Sequence, residues 1–304
     1  MTTILYYIEI LLGSYALLVA ALYVLSIKIP IAGFFARLLA AYISLLLCAC
    51  YGVVVSIFLR LVGYGRVSQW ATARSFKYVM WLTTGITFSI EDPHNYLNTT
   101  RPAIFIGNHQ TELDVLMLGC IFPKYCSVTA KSSLRRVPFL GWFMALSGTV
   151  FIDRANSTNA RSAMAGASNE IKMEKQSVYM FPEGTRSYAK EPMLLPFKKG
   201  AFHLAVQAGA PIVPVVVANY SDILYVQGRR FNSGTIPVKV LKPIDTTYLT
   251  AADVEDLARD TRELMLREIV SLTEKMRGHP LAMSAQNVGD GVVKASGAEA
   301  RITS

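Results

Sequence analysis

The chain has 304 residues, 52% of them hydrophobic and only 17% charged, with 30 Lys and Arg against 21 Asp and Glu for a net charge of +9. That composition is too apolar for an ordinary soluble enzyme and implies a membrane. The basic excess fits an anionic lipid surface or a phosphorylated substrate better than nucleic acid, for which so much apolar sequence has no use.

In chain order, the first features are two uncharged apolar runs, residues 10–27 and 38–59, bounded by Glu9, Lys28, Arg37 and Arg60. At about 1.5 Å per residue, each is about one bilayer long. The leader MTTILYYIE carries no Lys or Arg and contains Glu9, so a retained anchor is expected rather than a cleaved signal. Arg60, Arg66, Arg74 and Lys77 follow the second run, against Lys28 and Arg37 between the two. By the positive-inside tendency, the bulk of the chain is expected to face the cytosol. The connector KIPIAGFFAR is itself largely apolar, so a hairpin dipping into one leaflet fits as well as two spans, and both remain open. Residues 1–66 are assigned to this two-helix anchor.

From about residue 84, short β-rich runs alternate with helical stretches. The runs cover 86–90, 103–107, 126–130, 149–152, 177–181, 212–217 and 237–241, and helices are predicted over 112–121, 159–175 and 201–207. Alternation of this kind predicts an α/β domain over 67–277, with a mainly parallel sheet of about seven strands flanked by helices. A last helix, about 251–276, opens with Thr250 and Asp253 at capping-box spacing and carries Leu257, Leu264, Met265, Ile269 and Leu272 on one face. Residues 278–304 are rich in small residues and are expected to be a disordered tail.

Cys48, Cys50, Cys120 and Cys126 show neither a disulfide-framework spacing nor paired metal-ligand spacing, and are read as reduced thiols. No Walker loop, dinucleotide glycine motif, nucleophile elbow or zinc-protease motif occurs. The stretch FIGNHQTELDVLMLG, 105–119, places His109 and Asp114 where an apolar run gives way to a helix. On its own, T-x-x-D is a capping box in which Asp114 serves backbone amides and His109 is a turn residue. Two further charged clusters also follow strands: Asp153 and Arg154 after TVFI, and Glu183 to Arg186 after SVYMF. In open α/β sheets, ligands bind beyond the carboxyl ends of the strands, so these clusters are expected to converge on one site.

These segments resemble the glycerolipid acyltransferases, most closely those acting on 1-acyl-glycerol 3-phosphate (lysophosphatidate). NHQTELD resembles the family's Asn-His-x-x-x-x-Asp motif, GTVFIDR its second motif, FPEGTR (181–186) its third letter for letter, and APIVPVVV its fourth. AKSSLRRVPFLGW is similar to the family segment between the first two, and the likeness runs from about residue 84 to 245. The resemblance implies direct acyl transfer from acyl-CoA to a lysophosphatidate hydroxyl, giving phosphatidate and CoA with no covalent enzyme intermediate. It also implies glycerol-phosphate binding by Arg154, Glu183, Gly184, Thr185 and Arg186.

The chemistry suits these residues. An alcohol needs a base to become a good nucleophile, and His109 can supply one, with Asp114 fixing its tautomer and stabilising the imidazolium. Arg154 and Arg186 present planar guanidinium donors that match phosphate. Asn108 and Lys131 are added as substrate-binding candidates, and Glu183 is expected to hold an arginine or a glycerol hydroxyl. The backbone amides near Gly184 are a candidate oxyanion site. LRRVPFLGWFMAL, 134–146, mixes Arg135 and Arg136 with aromatics as a headgroup-layer surface would. No metal and no cofactor is expected beyond acyl-CoA as co-substrate. The expected partners are acyl-CoA, lysophosphatidate and a lipid bilayer, on the endoplasmic reticulum or another cytosol-facing membrane. The rivals are another acceptor, such as glycerol 3-phosphate or a different lysophospholipid, and a non-catalytic basic scaffold on anionic lipid.

Overall fold

The structure is a computed structural model that describes residues 2–153 and 157–281. The predicted tail beyond Leu281 lies outside them, as does Arg154. Helices α1 (Thr2–Leu25), α2 (Pro30–Leu61) and α3 (Ser68–Thr84) precede strand β1 (Ile86–Glu91). Next come α4 (Tyr96–Thr99), β2 (Ile104–Gly107), α5 (Leu113–Ile121), β3 (Cys126–Lys131), α6 (Leu140–Leu146) and β4 (Val150–Ile152). The chain continues through α7 (Ser157–Glu174), β5 (Ser177–Met180), α8 (Gly200–Ala208), β6 (Ile212–Val217), the two-residue strands β7 (Leu224–Tyr225) and β8 (Arg230–Phe231), β9 (Gly234–Val240) and α9 (Val254–Arg277).

Seven strands form one sheet in the order β1-β9-β6-β2-β5-β3-β4. Every neighbouring pair is parallel except β6 and β9, so β1 and β9 run against the other five. The chain between β6 and β9 needs no crossover helix, because antiparallel neighbours can be joined through a hairpin-like excursion, here carrying the small β7–β8 pair. Strands β2 and β6 are buried on both faces. Phe105 and Val213, Val215 and Val217 face the core beneath α3 and α5, while Ile104, Ile106, Ile212 and Val216 face the core beneath α7, α8 and α9. Burial on both faces explains why these strands read as unbroken apolar runs rather than alternating ones. β2, β5, β3 and β4 are adjacent and parallel, so their carboxyl ends share one edge of the sheet, and the predicted charged clusters with them.

The N-terminal helices are tied to this domain. Ala36, Ala40, Ser44, Cys48, Gly52 and Ser56 form a buried stripe along α2, every fourth residue, a row that winds slowly around the helix. The approach is close: a Cβ on Gly52 would fall 2.6 Å from the Phe143 ring and 2.8 Å from the Thr72 methyl. Near the start of α2, Arg37 donates to the carbonyls of Thr84 and Phe231; near its end, Arg60 donates to the Leu146 carbonyl at 2.7 Å. The predicted apolar connector is largely helix, because Pro30 at the first helical turn starts α2 well before residue 38. Leu47, Val54, Phe58 and Leu61 on α2, and Leu11, Leu17 and Val24 on α1, are exposed. α2 is long and apolar enough to cross a membrane. Two of the arginines weighed as topology markers have other work: Arg74 caps α5 by donating to the carbonyls of Gly119, Cys120 and Phe122, and Arg66 pairs with Glu174.

Candidate active site

β2 ends at Gly107, and the next five residues turn over the sheet edge into α5. Asn108 anchors the turn. Its side-chain amide donates to the Val217 carbonyl at 3.0 Å and its oxygen accepts the Val217 N–H at 2.9 Å, fixing the loop to the end of β6. Gln110 adds donors to the Val217 and Ala218 carbonyls. His109 projects between these two residues with its ring stacked on Phe181, centroids 4.2 Å apart, and 18% of its side chain exposed.

Asp114, 1% exposed, accounts for both readings of the opening motif. Its Oδ2 accepts from His109 Nδ1 at 2.6 Å and from the backbone N–H groups of Gln110 and Thr111 at 2.7 and 3.2 Å. Its Oδ1 accepts from the Tyr220 hydroxyl at 2.7 Å. The carboxylate therefore meets only donors. That assigns the imidazole proton to Nδ1 and leaves Nε2 as the open acceptor. Burial and the Asp114 charge push the Tyr220 hydroxyl well above the ordinary tyrosine range, so it remains a donor. Thr111 completes the cap by accepting from the Leu113 N–H and joining its hydroxyl to Tyr220.

Behind His109 lies Glu183, only 3% exposed. One carboxylate oxygen accepts the His109 backbone N–H at 2.7 Å and the other accepts the Leu195 N–H at 2.9 Å. Burial raises its pKa to about 7, an effect these two amides partly offset. Two more backbone bonds, from the Ser187 and Tyr188 amides to the His109 and Gln110 carbonyls, join the third motif's loop to the first like a short ladder. Gly184 turns that loop with φ +71°, where a side chain would be strained and would press on Lys198. Among the described residues, no group of three or more His, Cys, Asp or Glu is arranged to hold a metal. What the arrangement can do is take a proton at His109 Nε2 and hold the resulting imidazolium against a buried carboxylate.

The Acyltransferase family model matches residues 89–218, which include His109, Asp114, Glu183 and Arg186. Over 233 residues the chain is 45% identical to the 1-acyl-sn-glycerol-3-phosphate acyltransferase of Saccharomyces cerevisiae, covering 77% of this chain and 76% of that one. The chain belongs to the glycerolipid acyltransferase family. It is also 42% identical over 184 residues to the human 1-acyl-sn-glycerol-3-phosphate acyltransferase beta, covering 60% and 64% of the two chains. A crystal structure of a 1-acyl-sn-glycerophosphate acyltransferase from Thermotoga maritima superposes with a TM-score of 0.62 at 21% identity, over 81% of this chain and 98% of that one, which shows a shared fold.

The structure thus brings His109, Asp114, Glu183 and Arg186 of this acyltransferase together at one sheet edge and gives each a set of partners within the protein. Among the described residues Glu183 pairs with no arginine; its two oxygens hold backbone amides, because it is buried beneath the loop. Arg186 is held by Glu112 at 3.1 Å and by the Tyr188 hydroxyl at 3.3 Å, and its Nε is buried with no hydrogen-bond partner among the described residues. Both ends of the Asn108 amide are engaged by β6, so its place is in shaping the loop. The Gly184 amide, a candidate oxyanion donor, is bonded to the Phe181 carbonyl. Lys131 stands exposed at the end of β3, and Thr185 is exposed in the turn. Sequence reasoning missed Tyr220, Tyr188 and Glu112. Tyr220 left only a faint trace, an aromatic three residues after the fourth motif.

Proposed function

We propose that the chain moves a fatty acyl group from acyl-CoA to the sn-2 hydroxyl of 1-acyl-glycerol 3-phosphate, giving phosphatidate and CoA. The observation that carries this reading is the His109–Asp114 contact of 2.6 Å, made through Nδ1 so that Nε2 is left to accept, in a chain 45% identical to a 1-acyl-sn-glycerol-3-phosphate acyltransferase. As the acceptor oxygen attacks the thioester carbonyl, His109 Nε2 takes the hydroxyl proton and Asp114 stabilises the imidazolium. Collapse of the tetrahedral intermediate expels the CoA thiolate, which recovers that proton. No serine or cysteine nucleophile enters. Arg186, with Thr185 and Gly184 in the same turn, Lys131 across the edge and Arg154 beyond β4, supplies the phosphate site. Glu112 neutralises Arg186 until the acceptor phosphate displaces it.

The protein works at a membrane. α2, 32 residues and about 48 Å long, is bound to the α/β domain near both ends, so it does not stand apart from the domain as a free span would. That packing favours a hairpin lying in one leaflet, with its apolar face in lipid and the site at the headgroup level. The excess of Lys and Arg after the second apolar run supports a cytosolic face for the domain, as on the endoplasmic reticulum. His109→Ala is the test. Transfer from labelled acyl-CoA to lysophosphatidate falls by at least a hundredfold while sedimentation with vesicles persists; retained transfer removes the proposal. Running the wild-type protein across glycerol 3-phosphate and other lysophospholipids decides the acceptor.

A further inference from the structure

The loop between the third motif and α8 is held from outside by two arginines of α9. Arg262 and Arg277 are 15 residues apart, four helical turns, and so lie on one face. Arg277 holds the outer limb: it pairs with Glu191 and Asp222, each at 2.9 Å, and donates to Ser221 and the Lys190 carbonyl. Arg262 has no carboxylate within ion-pair reach among the described residues. Its guanidinium instead spans two consecutive carbonyls, donating from Nε to Leu195 at 3.2 Å and from Nη2 to Leu194 at 2.5 Å. The Leu195 N–H then donates to Glu183, and the other oxygen of Glu183 accepts the His109 N–H. The path from α9 to the backbone of the histidine is therefore unbroken: guanidinium, peptide, carboxylate, amide.

We infer that Arg262 is a positioning residue for acyl transfer, setting the register of the peptide that delivers its N–H to Glu183 and so fixing His109 in its loop. The guanidinium on the Leu194 carbonyl draws electron density along the peptide unit it shares with Leu195 and makes the Leu195 N–H a better donor, while the contact to the Leu195 carbonyl fixes the next peptide. Both bonds to Glu183 need acceptors, so the carboxylate form is the one that holds the loop. Among the described residues, the ionisable groups around that carboxylate include His109 on the first loop, Asp114 in the first turn of α5 and Lys198, whose side chain lies over Gly184. Arg277 clamps the same loop without touching this path.

The inference rests on His109 being the base, and Arg262→Gln compared with Arg277→Gln in the full chain tests it separately. Arg262→Gln lowers kcat about tenfold with KM for both substrates within twofold. It also moves the acid limb of the kcat profile up by about half a pH unit, because Glu183 loses part of what stabilises its charge. Amide exchange, read by mass spectrometry without any turnover, quickens in peptides covering 105–112 and 193–197. Arg277→Gln leaves the acid limb and the 105–112 peptide unchanged. Arg262→Lys, which keeps a donor to one carbonyl, falls between wild type and Arg262→Gln, and it carries the test if the Gln variant does not fold. Equal effects of the two Gln variants, or unchanged exchange at 105–112 in the Arg262 variants, overturn the inference whatever the acceptor proves to be. Failure of the base assignment shows instead as an active His109→Ala.

Discussion

Replacing Asp114 with Asn separates its two duties. An amide oriented with its oxygen toward His109, Gln110 and Thr111 keeps all three donors, and its NH2 faces the Tyr220 oxygen, 2.7 Å from the present Oδ1. Tyr220 can accept there if its proton turns to the Thr111 hydroxyl 2.9 Å away, so the cap survives with bonds weakened by the loss of charge. The stability cost is about 1–2 kcal/mol. The catalytic cost is larger. A charge pair about 4 Å apart at an effective dielectric near 20 is worth about 4 kcal/mol, and the imidazolium exists only after proton transfer, so the loss falls on the barrier. That predicts a drop in kcat of about a thousandfold. The assay is thiol release from acyl-CoA in lipid micelles well below the melting temperature, with unfolding followed by scanning fluorimetry on the same sample. If Asp114 were only a helix cap, Asp114→Asn would melt earlier yet turn over within about tenfold of wild type, and that result would refute the reasoning.

Two further expectations concern the third motif. Arg186→Ala raises KM for lysophosphatidate at least tenfold, whereas Lys190→Ala, an exposed residue whose carbonyl rather than amine is used by the fold, changes it less than twofold; equal effects in initial-rate measurements remove the phosphate assignment. Glu183 binds its proton more tightly folded, with a pKa of about 7, than unfolded, at 4.5. Its contribution is thus most favourable below pH 4.5 and is lost as the pH rises to 7, on the order of 3 kcal/mol in all. Denaturation of wild type and Glu183→Gln at pH 5 and 7.5 should show their stability difference moving toward the Gln variant at the higher pH; a pH-independent difference contradicts the burial argument.

Much of the fold was legible because the sheet's inner strands are apolar on both faces and α9 is apolar on only one, patterns that survive without tertiary knowledge. α3 was not assigned. It lies between α2 and α5, and of its buried positions, Ser68, Gln69, Thr72, Phe76, Met80 and Thr84, only Phe76 and Met80 are apolar, which leaves no clear apolar stripe. α6 and the β7–β8 pair are too short to establish a period. In the site, His109 and Asp114 could be paired because five residues separate them across a single turn. Glu183 could be placed near them but not given its partners, since its bond to His109 spans 74 residues and depends on β5 lying beside β2. Tyr220 reaches Asp114 across 106 residues because β6 lies on the other side of β2. Strand order of this kind is a property of the folded sheet and leaves little mark on any local window.

The comb of small side chains on α2 constrains what can change there. Leu47, Val54 and Phe58 are exposed, and against the lipid proposed above they need only be oily, so they can be exchanged for one another without disturbing the neighbours. Ala40, Ser44, Cys48, Gly52 and Ser56 answer instead to the width of a slot, and an added isobutyl group at any of them would lever the helix away from α3 and α6. A hydropathy trace scores both kinds of change as conservative. The helix is therefore tolerant on one side and exacting on the other, and the two behaviours alternate along its length with the pitch of the helix.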